Sequence, residues 1–127
     1  MSGRQIRSLD SGAGGGRYNR RMIDLKTKFI SVSIYTVTAA NFAGLTEAAT
    51  QTMQRDLPAL EGFCEGVVMA DEARARVLIV TQWLSKHAWA QAHWEPRIGE
   101  AVATFAENAT SYDVQTFEPV TIVRTVG

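Results

Sequence analysis

Between Val77 and Trp94 the sequence changes period within a few residues, and this change constrains the fold more than any other feature. Residues 77–83, Val-Leu-Ile-Val-Thr-Gln-Trp, are apolar and β-branched, the mark of a strand covered on both faces. After Ser85 the pattern is helical. Ser85 can act as N-cap, its hydroxyl taking an amide hydrogen that a first turn leaves unpaired, and Ala88, Trp89 and Ala92 fall on one side. A buried strand thus ends in an aromatic and turns at once into a helix carrying two more tryptophans and both histidines, His87 and His93. A functional site is expected at this junction.

The remaining elements follow from the same patterns. Phe29 to Thr38 alternates as a strand, with Ile30, Val32 and Ile34 on an aliphatic face and Phe29, Ser31, Ser33 and Tyr35 on a mixed face. The mixed face is suited to a cavity or a subunit contact. Asn41 can cap a helix from Phe42 to about Leu57, with Phe42, Leu45, Ala49, Thr52 and Met53 in a stripe, and Pro58 closes it. Gly62 turns the chain into a second strand, Phe63 to Ala70, and Asp71-Glu72-Ala73 connects it tightly to the third, Arg74 to Trp83. Strands this close in sequence pair as an antiparallel hairpin. The second helix is interrupted near Pro96, and Ile98, Ala101, Val102 and Phe105 then mark an amphipathic segment over Arg97 to Glu107. Ser111 to Phe117 is the last strand of the unit. Beyond Pro119, a β-prone run from Val120 to Arg124 is expected to reach over a partner subunit.

Strand, helix, strand, strand, helix pair, strand is the α+β, ferredoxin-like βαββαβ order, an antiparallel sheet with helices on one face. The second face, expected to carry Phe29, Tyr35 and alternate members of the third strand, needs a cover. A second copy of the sheet supplies one, so a homodimer is expected.

At 127 residues and 46% hydrophobic composition the chain can bury a core without disulfides or metal. Cys64 is the single cysteine and has no internal partner, which fits a cytoplasmic setting. Charge divides unevenly: residues 1–28 hold seven basic against two acidic side chains, and the rest hold six against eleven. Residues 1–27 therefore read as a basic, glycine-rich flexible leader, and 28–127 as the folded domain. Rich in glycine and with Tyr18 as its one aromatic, the leader reads as a solvated tail and not a nucleic-acid contact. Arg20-Arg21 lacks the unbroken apolar run that a twin-arginine signal requires, and no stretch approaches the roughly 18 to 20 apolar residues of a membrane span. Two histidines and one cysteine match no metal-ligand spacing, and Gly12-Ala-Gly-Gly-Gly16 neither follows a strand nor opens a helix as a phosphate loop would.

Leu60-Glu61-Gly62-Phe63, the hairpin, and Trp83-x-Ser85-x-x-Ala88-Trp89 together resemble the antibiotic biosynthesis monooxygenase domain of the dimeric α/β barrel superfamily, over about residues 28 to 124. The resemblance implies a dimeric barrel, a pocket between sheet and helices in each subunit and, in some members, oxygenation of aromatic phenols or quinols by molecular oxygen without metal, flavin or haem. A related branch degrades haem. Polyketide oxygenases of the group can carry an asparagine four residues before the strand-end tryptophan, where this chain has Ile79. The haem-degrading branch uses a first-strand asparagine, a tryptophan where this chain has Ala92 and a histidine ligand where it has Val102, so haem degradation is disfavoured.

Cofactor-free oxygenation needs a base or hydrogen bond that favours the substrate anion, and a dry pocket. His93, four residues after Trp89 on the sheet-facing side, is the candidate base, because imidazole titrates in the useful range. Trp83 and Trp89 are candidate walls for a planar ring. Tyr35 and Gln82, polar groups on otherwise buried strands, and Arg97, just after Pro96, are candidate substrate contacts. The expected activity is cofactor-independent monooxygenation of a small phenol, anthrone or quinol. The alternative is a non-catalytic dimeric small-ligand-binding or stress-associated protein of the same fold.

Overall fold

The computed structural model describes residues 28–121, together with 123 and 125. The leader expected over residues 1–27 lies outside them. Of the run expected over 120–124, the described Val120 and Val123 are exposed and in no strand.

Four strands, β1 (Phe29–Thr36), β2 (Phe63–Asp71), β3 (Arg76–Trp83) and β4 (Ser111–Phe117), form one antiparallel sheet in the order β2-β3-β1-β4. Three helices, α1 (Ala39–Gln51), α2 (Lys86–Ala92) and α3 (Pro96–Asn108), cover one face. This is the expected ferredoxin-like α+β arrangement.

Several boundaries differ from the sequence reading for local reasons. Thr38, and not Asn41, caps α1: its hydroxyl accepts the Asn41 amide at 3.3 Å. The Asn41 side chain instead donates to the Asn108 carbonyl at 3.4 Å, tying the start of α1 to the end of α3. After Gln51 the backbone loosens into a π-helical turn, Thr52–Asp56, and then tightens into a 3-10 turn, Leu57–Ala59, that contains Pro58. The hairpin connection is longer than expected and β3 starts at Arg76. The Asp71 carboxylate accepts from the Arg74 amide at 3.3 Å and the Arg76 guanidinium at 2.8 Å, while Ala75 closes the turn at φ 53°. Those two arginines hold the Asp71 carboxyl below its usual range, Arg76 chiefly. Pro96 occupies the first turn of α3, where its missing amide needs no partner.

Two apolar clusters fill the space between sheet and helices. Tyr35, Val37, Leu45, Ala49, Val77 and Phe105 form one, and Phe29, Leu57, Trp83, Ala92 and Ile98 the other. Phe29 and Tyr35 therefore lie under the helices, which corrects the expectation that they occupy the face awaiting a second sheet. Trp89 packs on Phe29 and Phe105 on Tyr35, with ring centroids 5.2 and 5.7 Å apart. The helix-free face carries the other set: Val32 lies opposite Val80, which lies opposite Val67, and Ile34 likewise continues through Leu78 to Met69. Val67 and Met69 stand 47% and 43% exposed in the single chain.

Candidate functional site

A cavity of about 70 Å³ lies between the sheet and the helices. β1 contributes Ser31, Ser33 and Tyr35 to its floor, and β3 contributes Ile79, Thr81 and Trp83. Met53, Trp89 and His93 border it from the helical side, with Val102 and Phe105 of α3 closing the wall.

The junction that opened the sequence argument holds this cavity in shape. Ser85 caps α2 as expected, accepting the Ala88 amide at 3.1 Å. Gly62 sits directly against that first turn at φ 84°, and a Cβ there would collide with the Ala88 Cβ. Its carbonyl also accepts the Leu84 amide at 2.8 Å. The Leu-Glu-Gly-Phe turn and the Trp-x-Ser-x-x-Ala-Trp junction are thus two sides of one contact, and only glycine provides both the backbone conformation and the clearance. Trp83 is 2% exposed, and its indole Nε1 donates to Thr81 Oγ1 at 2.9 Å, which fixes the plane of the ring. Thr81 is paired with Ser31 across the sheet, so two buried hydroxyl residues stand side by side on the floor.

His93 is the C-cap of α2 and is exposed at the cavity mouth. Its Nδ1 lies 2.9 Å from the Trp89 carbonyl oxygen, and its ring packs edge-on to the Trp89 indole at 4.9 Å. A carbonyl only accepts, so Nδ1 carries the hydrogen and, in the neutral ring, Nε2 keeps its lone pair. Tyr35 is 2% exposed between the Phe105 edge and the Tyr112 face, the latter stacked at 5.5 Å. Burial pushes its phenol above the usual value of 10, the neighbouring Tyr112 adds to this, and the Ser33 hydroxyl opposes it. Tyr35 therefore stays protonated at neutral pH and serves as a hydrogen-bond donor.

Of the sequence candidates, the structure brings Tyr35, Trp83, Trp89 and His93 to one cavity and leaves two elsewhere. Gln82 lies on the helix-free face, in a separate depression of about 330 Å³ with Ile30, Glu65, Gly66, Val67 and Val80. Arg97 is exposed, with Nη1 3.5 Å from the Asp56 carboxylate, and does not border the cavity. The hydroxyls of Ser31, Ser33 and Thr81 were missed, although a polar residue on a buried strand was the available signal. Ile79, Ala92 and Val102 also line the cavity, so its wall is apolar at these three positions. Among the described residues no group of three or more His, Cys, Asp or Glu side chains is placed to hold a metal ion. None of the described helices is long and apolar enough to cross a membrane.

No family model matches the sequence, and no curated protein matches it significantly. Solved structures do resemble it. A Streptomyces coelicolor monooxygenase in complex with the ligand nanaomycin D superposes with a TM-score of 0.69 at 20% identity, over 81% of this chain and 96% of that one. A proposed antibiotic biosynthesis monooxygenase from Deinococcus radiodurans gives 0.68 at 18% identity, over 78% and 99%. Another from Bacteroides thetaiotaomicron gives 0.68 at 8% identity, over 82% and 100%. Identities this low speak for the fold and not for the chemistry: the chain is an α+β domain with the ferredoxin-like fold of the antibiotic biosynthesis monooxygenases, as the Gly62 turn and the Trp83–Trp89 junction led one to expect.

Proposed function

We propose that this protein is a homodimeric, cofactor-independent monooxygenase acting on a small aromatic phenol or quinol in the cavity between sheet and helices. One observation carries the reading: two titratable side chains line the same cavity, the buried and protonated Tyr35 and, at the mouth, His93 with its Nε2 lone pair. In the reaction His93 Nε2 takes the phenolic proton, while the hydroxyls of Tyr35 and Thr81 bond to ring oxygens. The anion passes one electron to molecular oxygen. The resulting radical and superoxide join at a ring carbon that bears hydrogen, the peroxide recovers the proton from His93, and loss of water leaves a carbonyl. The aliphatic face of the sheet, around Val32 and Val80, is the proposed dimer contact.

A second reading, a non-catalytic binder of small molecules with the same fold, keeps the cavity without the chemistry. At about 70 Å³ the cavity is far below the roughly 300–1,000 Å³ of ordinary ligand pockets, so either reading requires a wall to move. Oxygen uptake by purified, chelator-treated protein against hydroquinones, naphthols and anthrones, corrected for autoxidation, separates the two. Uptake above background supports the oxygenase. Ligand binding without uptake across the panel supports the binder.

A further inference from the structure

At about 70 Å³ the cavity is roughly half the 150 Å³ in which an apolar protein cavity holds a benzene ring. A ring therefore enters only if a wall yields. Trp83 is pinned by its bond to Thr81, Tyr35 is held between Phe105 and Tyr112, and Trp89 is wedged between Phe29 and His93. Met53 differs from all three. Its side chain is unbranched and flexible and, like Trp89, it is half-buried. Its backbone belongs to the π-helical turn, where the hydrogen-bond pattern already departs from that of α1. Its tip rests on Gly66 of β2: an added Cβ at Gly66 would collide with the Met53 Sδ and stand 2.7 Å from its Cε. Gly66 pairs with Thr81, and Thr81 with Ser31. The Met53 tip thus rests on the helix side of Gly66, just beyond the cavity lining and at one end of a row of hydroxyls; the other side of Gly66 borders the depression on the helix-free face.

We propose that Met53 is the gate and size filter of this cavity, swinging off Gly66 so that a planar aromatic ring lies over Gly66 with its oxygen at the Thr81 and Ser31 hydroxyls. The proposal rests on the aromatic-ligand reading above and adds the residue that limits ring size. Gly66 is then a seat as well as a strand residue, since any side chain there occupies the place of the ring.

Isothermal titration with 1-naphthol tests this on the full chain, its Met53→Ala and Met53→Leu variants, and Gly66→Ala. Met53→Ala should bind at least about tenfold more tightly than the parent, the gain expected if the gate stands open in less than a tenth of molecules. Met53→Leu keeps the volume and hence the fold, but its branched tip clears the seat less readily and binding should weaken. Gly66→Ala should lose binding. Equal affinity in the parent, Met53→Ala and Met53→Leu overturns the gate, as does a Gly66→Ala protein that is folded by circular dichroism and binds normally. Oxygen uptake on the same samples keeps the two ideas apart. The expected binding pattern without uptake leaves the gate and removes the oxygenase; uptake with one affinity throughout does the reverse.

Discussion

The two faces of the sheet bury different chemistry. Toward the helices lie Ser31 and Thr81, 4% and 8% exposed, among Phe29, Tyr35, Trp83 and Phe105. Away from them lie Ile30, Val32, Ile34, Leu78 and Val80, a mainly aliphatic set, with Gln82 beside it, that is only half-buried in the single chain. Fully buried hydroxyls on one face and half-exposed isoleucines on the other depart from the usual preference. The arrangement makes sense when the aliphatic face is covered by protein and the polar face by a ligand: a buried hydroxyl without a partner costs about 1–3 kcal/mol, and Thr81, which already accepts from the Trp83 indole, has its own hydrogen to give. The comparison teaches that burial in the monomer distinguishes a cavity from an interface better than hydropathy does.

The largest expected effect lies at the cavity mouth. His93→Ala should lower turnover by about 10²- to 10⁴-fold, the usual contribution of a positioned acid or base, with an unchanged melting temperature because the ring is exposed. A fall of less than about tenfold in initial oxygen-uptake rate removes His93 from the mechanism. Next comes the open face. Val80→Asp places an unpaired charge at its centre and should weaken self-association by about 3–5 kcal/mol, visible as monomer in sedimentation equilibrium at concentrations where the parent is dimeric. A monomeric parent would break the comparison outright.

Thr81→Val sharpens it on the closed face. The variant strands the buried Trp83 Nε1 hydrogen, which now sits 2.9 Å from Thr81 Oγ1, and should cost about 1–3 kcal/mol in urea unfolding. Gln82→Leu, one residue away on the other face, should leave monomer stability nearly untouched. The smallest effect is a pH dependence. The phenol of Tyr35 titrates higher in the folded than in the unfolded chain. Its contribution to stability is therefore complete below the unfolded value of about 10 and is lost as pH rises through the folded value. Tyr35→Phe should flatten the decline in melting temperature over that alkaline window. An unaltered slope would show that Tyr35 is not the titrating group.

The order of elements was legible because period and punctuation agree with tertiary packing at most positions. Ser85 had no competing cap nearby, and Ser111 to Phe117 is bounded by Thr110 and Pro119, so both readings match the structure. Thr38 and Asn41, by contrast, are both good caps, and the choice was decided by the distant Asn108 carbonyl that takes the Asn41 side chain. The π-helical turn leaves no trace, since Thr52 and Met53 also continue an α-helical stripe. The faces of the sheet were misjudged for a deeper reason. Alternation reveals which residues share a face, but an interface between copies is as dry as a core, so Ile30, Val32 and Ile34 suit either. The same ambiguity placed Gln82 with Tyr35, although strand parity through Trp83 puts them on opposite sides.

Trp89, edge-on to His93 and in the cavity lining, also makes the site self-reporting. A ring seated beside Trp89 changes the surroundings of that indole, so its emission is expected to report occupancy of the cavity without any added dye. Trp83 is sealed in the interior while Trp94 is 81% exposed, so their emission is separated in colour, and replacing Trp94 with phenylalanine removes the solvent-shifted background. The three indoles give this small domain an optical gauge graded by depth, with the middle one lining the proposed site.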